Sequence, residues 1–129
     1  VPELVTAELG AGGSTAPDLA SHEWLIIKRV SLPDSIRMVP DLGSGEAGTI
    51  ALCLASPNPL ALLDDGLARR IARLHGIPMT GTAGVLLKSK ALGHIHAVRP
   101  ILADMIEAGF YLRPDHLELI CRMAGEESA

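Results

Sequence analysis

Aromatic side chains are nearly absent from this chain. They make up 2% of its 129 residues, as Trp24, Phe110 and Tyr111. The core must therefore be built from Leu, Ile, Val, Ala and Met. Base-stacking platforms of the kind RNA-recognition sheets use need exposed rings, and the scarcity argues against them. Cysteine is as scarce, with Cys53 and Cys121 alone. No spacing suits a zinc site or a disulfide framework, so both are expected as small buried apolar residues of a reducing, cytoplasmic protein. An excess of positive charge is missing too. Eleven Lys and Arg against 15 Asp and Glu give a net charge of −4, so no overall basic field draws in nucleic acid, and only a local basic patch stays open. No run of about 18 apolar residues exists to span a bilayer, and no leader pattern opens the chain. Nor is there a P-loop, a nucleophile elbow or a His-Glu-x-x-His.

What is present is a globular composition, 48% apolar, at a length that suits one compact domain over 1–129. Helical spacing of Val1, Leu4, Val5 and Leu9 predicts a short helix over 1–9, with Pro2 at its start. Glu8 falls near its end, where an anion is poorly placed against the helix dipole. Residues 10–21 read as a loop, 24–30 as a strand, and 31–43 as a second loop with a short extended piece at 36–39. Ser44 is a candidate N-cap for a helix that Pro57 and Pro59 end. The apolar run 60–63 reads as a buried parallel strand, and 65–75 as a helix with Leu67, Ile71 and Leu74 inward and Gly76 as its stop. A strand at 77–79, helices at 82–92 and 98–108, a last strand at 110–112, a helix at 114–123 and a polar tail at 125–129 complete the pattern. Strand and helix alternating with short links mean α/β, with a mainly parallel sheet covered on both faces.

Residues 43–48, Gly-Ser-Gly-Glu-Ala-Gly, spell the G-x-G-x-x-G of a dinucleotide site, with acids about twenty residues on. Pro40 breaks the strand that should feed the first glycine. Glu46 would put a second anion where a pyrophosphate must lie, and no second nucleotide half fits the chain. The carboxylates are the better candidates. Glu46 opens a helix, and Asp64 and Asp65 stand where an apolar strand stops, so these acids can converge at one sheet end. Converging carboxylates repel unless a cation neutralises them, and hard oxygen donors suit Mg2+ or Mn2+. The competing explanation is an Asp-Asp turn that caps the following helix. His94 and His96 read as surface residues. Arg69, Arg70 and Arg73 read as a solvated helix face or as a phosphate contact beside the acids.

Three stretches carry a resemblance: Gly-Ser-Gly-Glu-Ala-Gly-Thr-Ile-Ala-Leu from residue 43, Leu-Leu-Asp-Asp-Gly-Leu-Ala-Arg-Arg-Ile-Ala from 62, and Thr-Gly-Thr-Ala-Gly-Val-Leu-Leu-Lys-Ser-Lys from 80. With them the chain resembles an uncharacterised prokaryotic branch of the PIN-domain-like proteins. The resemblance implies a three-layer α/β/α domain and kinship with metal-dependent ribonucleases, including the toxins of toxin–antitoxin pairs. It implies Mg2+ or Mn2+ held by Glu8, Glu46 and Asp64, with Asp65 sharing the catalytic role, and RNA as substrate. An antitoxin-like protein and a second copy of the chain are the partners it suggests. It further implies an opening strand, with an Asp followed by Thr or Ser that supplies the first metal ligand. This chain begins with Val1, after that strand, and is expected to be an N-terminally truncated form. A non-catalytic relative, binding nucleic acid or protein with structural acids, is the alternative.

Overall fold

The structure, a computed structural model, describes residues 1–12 and 16–127, so residues 13–15 of the expected first loop and 128–129 of the expected tail lie outside it. The fold is α/β, rich in helix. The described residues form α1 (Glu3–Ala11), a 3-10 turn (Leu19–Ser21), α2 (Asp34–Arg37), α3 (Ser44–Leu54), β1 (Ala61–Leu62), α4 (Gly66–Leu74), β2 (Met79–Thr80), α5 (Thr82–Ala91), α6 (Arg99–Glu107) and α7 (Pro114–Met123). Contacts divide the chain into two compact units, Val1–Thr80 and Gly81–Ala129.

In the first unit β1 and β2 pair in parallel, Ala61 opposite Met79 and Leu62 opposite Thr80. A second parallel pairing is a single bridge between Pro2 and Lys28. Buried Ile50, Ala61, Leu63, Ala68, Ala72 and Ile77 bring α3, α4 and the strands into one core. Helix α3 also packs on α1, and Gly48 permits it: a Cβ there would stand 3.1 Å from both Leu4 Cδ1 and Pro2 Cβ. An apolar groove of about 300 Å3 is lined by Val1, Pro2, Val5, Leu52, Leu60 and Leu62 among others. The second unit packs α5, α6 and α7 around buried Val98, Leu102 and Ile120.

Four expectations about elements are corrected. The strand at 24–30 reduces to the bridge at Lys28, because the Leu25 N–H turns back to the His22 carbonyl and Trp24 and Ile26 find no packing partner face, remaining 77% and 66% exposed. The extended piece at 36–39 is instead the one-turn helix α2. Pro33 and Asp34 are a helix start, and the N–H groups of Ile36 and Arg37 return to the Pro33 carbonyl. No strand forms at 110–112, since Gly109 ends one helix at φ 109° and Arg113 already caps the next. The inward face of α4 is Ala68 and Ala72, both fully buried, with Ile71 beside them, while Leu74 is 83% exposed. Only small residues let this helix approach the sheet closely, so the apolar stripe read from Leu67, Ile71 and Leu74 is rotated.

Candidate functional site

The acids of interest all lie in the first unit. Helix α3 starts with Ser44, Gly45 and Glu46, after Gly43 in an extended conformation. Ser44 is thus the first helical residue and not the N-cap; its hydroxyl serves Glu8. From the last turn of α1, the Glu8 Oε1 accepts the Ser44 hydroxyl at 2.9 Å and the Gly45 N–H at 2.7 Å. The poor placement of Glu8 against its own helix dipole is thereby answered, because the positive end of α3 receives the charge. Glu46, half-buried, folds its carboxylate back over Gly43. Each contact depends on a missing Cβ. One added at Gly43 would run into the Glu46 carboxylate, and one at Gly45 into that of Glu8, whose carboxyl carbon would be 2.9 Å away. The start of α3 therefore carries its own Glu46 carboxylate against Gly43 and that of Glu8 against Gly45.

Asp64 and Asp65 follow β1, both exposed. Asp65 is the N-cap of α4: its Oδ2 accepts the Ala68 N–H at 2.9 Å, which is the capping explanation weighed above. Arg69 Nη1 donates to the Leu63 carbonyl at 2.9 Å and so pins α4 to the strand end that presents Asp64. Arg70 and Arg73 remain exposed on the same helix, as do His94 and His96 in the second unit. Both cysteines are buried and free, and burial pushes both thiols up, away from nucleophilic reactivity.

Among the described residues no three His, Cys, Asp or Glu groups stand close enough together to hold a metal ion. The donors at the α3 start still suit a hard cation in kind, being carboxylate oxygens with no thiol or imidazole. Mg2+ in particular uses one or two protein carboxylates and fills its remaining positions with water and phosphate. The space left by the missing side chains of Gly43 and Gly45 is filled by the carboxylates of Glu46 and Glu8 themselves.

The family model described as DUF3368, PIN domain, matches residues 1–126. The chain belongs to this PIN-domain family. No curated protein and no solved structure was found to match. The match spans both units of the PIN domain, so the helical unit is as much part of it as the acidic one.

That helical unit holds the residue that sequence reasoning missed. Glu126, assigned to a polar tail, is a fixed ligand of its own fold. Its Oε1 accepts Lys90 Nζ at 2.8 Å and the Val98 N–H at 2.7 Å, and its Oε2 accepts the Arg99 N–H at 2.9 Å. The Lys90 ammonium first, then these two backbone donors at the start of α6, hold its carboxyl down to about 2. The placement comes from α7. Gly125 sits at φ 75°, its N–H returns to the Arg122 carbonyl, and the Glu126 N–H returns to that of Cys121. This double return is the Schellman ending that a glycine after a helix allows, and it aims the next residue back at the body of the unit. The signal was available in Gly125, which the sequence reading placed in the polar tail together with the acid behind it. No helix among the described residues is long and apolar enough to cross a membrane.

Proposed function

We propose that this PIN domain is a metal-dependent ribonuclease acting in the cytoplasm, with Glu8, Glu46 and Asp64 as its metal-site acids and Asp65 in support. The observation that carries this is the pair Glu8 and Glu46, brought from separate helices onto one glycine-lined helix start. The helix start favours each charge, and a cation there would offset the repulsion between the two. Glu8, Glu46 and Asp64 would hold Mg2+ or Mn2+. Bound there, the ion supplies Lewis acidity toward a phosphodiester and lowers the pKa of its water. The chain's own contribution is placement. Ser44 and Gly45 orient Glu8, Gly43 gives Glu46 its room, and Asp65 with Arg69 fixes the start of α4 beside Asp64. Arg70 and Arg73 offer charge to a nucleic-acid backbone from the same helix.

The three-layer α/β/α arrangement, as one domain, belongs to the same proposal. A toxin role, an antitoxin-like partner and a second copy of the chain rest on the resemblance alone.

The test is Mn2+-dependent cleavage of a structured RNA by the 129-residue chain. Asp64→Asn is expected to lower the rate by about 100-fold, whereas Asp65→Asn, which keeps a capping side chain, leaves it near the parent. An unchanged Asp64→Asn protein rules the assignment out. A second function, a non-catalytic module that binds nucleic acid or protein, is favoured by one observation: the absence of a three-acid cluster among the described residues. It predicts no heat of Mn2+ binding in calorimetry.

A further inference from the structure

Residues 26–29 leave one edge of their backbone open. The other edge is taken: the Val1 nitrogen donates to the Ile26 carbonyl, the Lys28 N–H to the Val1 carbonyl and the Glu3 N–H to the Lys28 carbonyl, each at 2.8 Å. The N–H and C=O groups of Ile27 and Arg29, which alternate with these, have no hydrogen-bond partner among the described residues. Such an open row is a template for a further strand. The side chains beside it are uncovered. Trp24 and Ile26 are exposed apolar groups, and Lys28 is exposed with no acid paired to it among the described residues. Ile27 also lines a cavity of about 300 Å3, together with Thr6, Leu9, Gly10, Pro17 and Leu19 among others.

We propose that this edge takes an extended peptide of alternating apolar and acidic residues, added as a strand. Main-chain bonds to Ile27 and Arg29 supply affinity, while the cavity at Ile27 and the cation at Lys28 select the side chains. One alternate set of the peptide's side chains turns to the face of Ile27, and the other to the face of Ile26 and Lys28. Charge decides between the occupants. A second copy brings its own Lys28 and Arg29 to the same short edge, and like charges across paired strands are unfavourable. A carboxylate on the peptide gives Lys28 the partner that the fold does not, and Arg29, 3.4 Å from Glu3, adds to the same positive field. A nucleic acid matches neither the open main chain nor the apolar cavity. The site needs nothing from Glu8, Glu46 or Asp64.

Trp24 is the single tryptophan of the chain, so its emission reports on this edge directly. The experiment titrates the 129-residue chain with a blocked peptide of alternating valine and glutamate, following Trp24 emission and the Ile27 and Arg29 amides by NMR. A blue shift and protection of both amides are expected. Lys28→Glu should weaken binding about fivefold. Gly10→Leu fills the cavity at a position where a Cβ meets nothing within 4 Å, and should weaken binding in a protein that melts no lower than the parent. A fully N-methylated peptide, and one with lysine in place of glutamate, should not bind. No shift with the valine–glutamate peptide overturns the proposal, as does equal binding of the N-methylated or the lysine peptide. A shift that appears on concentrating the chain alone, with a dimer in sedimentation, gives the edge to a second copy and overturns it too. So does a shift with a single-stranded RNA oligomer and none with the peptide.

Discussion

Glu8 and Glu126 do the same local thing in the two units, and the contrast between them separates structure from candidate function. Each places a carboxylate at the start of a helix belonging to another part of the sequence, α3 for Glu8 and α6 for Glu126. Glu126 is complete: both oxygens are engaged, a lysine neutralises it, and its side chain is only 16% exposed. Glu8 is half used. It has no cationic partner among the described residues, one oxygen is uncommitted, and a second acid, Glu46, stands at the same helix start. A carboxylate that a fold needs for itself looks like the first. One that is held but not consumed looks like the second.

The largest expected effect breaks the comparison at its base. Gly48→Val pushes a branched side chain into Leu4 and Pro2, forcing α1 off α3 and separating Glu8 from its donors. It should cost about 2 kcal/mol in chemical denaturation and abolish protection of the Gly45 amide, while the Glu126 contacts persist.

The middle effect concerns pH and isolates Glu126. Its folded pKa lies below its ordinary value, so the unfolded chain binds more protons and the carboxylate contributes stability above that ordinary value. The contribution is lost as pH falls from 4.5 toward about 2. Glu126→Gln should melt several degrees lower at neutral pH and should flatten the stability profile across that acid window. An unchanged profile would mean that Lys90 and the start of α6 do not depend on the charge.

The smallest effect sharpens the other side. Glu8→Gln keeps an oxygen for Ser44 and Gly45 on an exposed side chain, so thermal stability should stay within about 0.5 kcal/mol of the parent. Near-neutral stability combined with altered metal binding would mark Glu8 as the functional member of the pair, whereas a large destabilisation would make it a second Glu126.

Much of this architecture was legible from local chemistry. The bounds expected for helix α7, 114–123, are those it has, and Gly76, expected as the stop of α4, has positive φ in the structure. The parallel strand before Asp64 was legible because four apolar residues lay between Pro59 and the acids, but its burial on both faces was not borne out: Ala61 and Leu63 are buried while Leu60 and Leu62 are 62% and 61% exposed. What failed needed tertiary information. The segment 24–30 has strand composition, yet a strand also needs a neighbour, and among the described residues its backbone pairs with Val1, Pro2 and Glu3 at Ile26 and Lys28. At the site, sequence pointed to Glu8, Glu46, Asp64 and Asp65 but could not say that a helix start receives the charge of Glu8, or that Asp65 spends its side chain on a cap. Both facts are hydrogen bonds, and the one at Glu8 crosses 37 positions that no periodicity connects.

That same bond closes a ring in the chain. From Glu8 to Gly45 the backbone leaves the α1–α3 pair and returns to it, and most of the path between is irregular. Ring closure charges entropy only logarithmically with length, so doubling this excursion would cost about 0.6 kcal/mol. The anchored ends and the wandering middle can therefore evolve at different speeds. Insertions between residues 16 and 33 should be borne easily by a protein whose two glycine-seated carboxylates stay in register at its base.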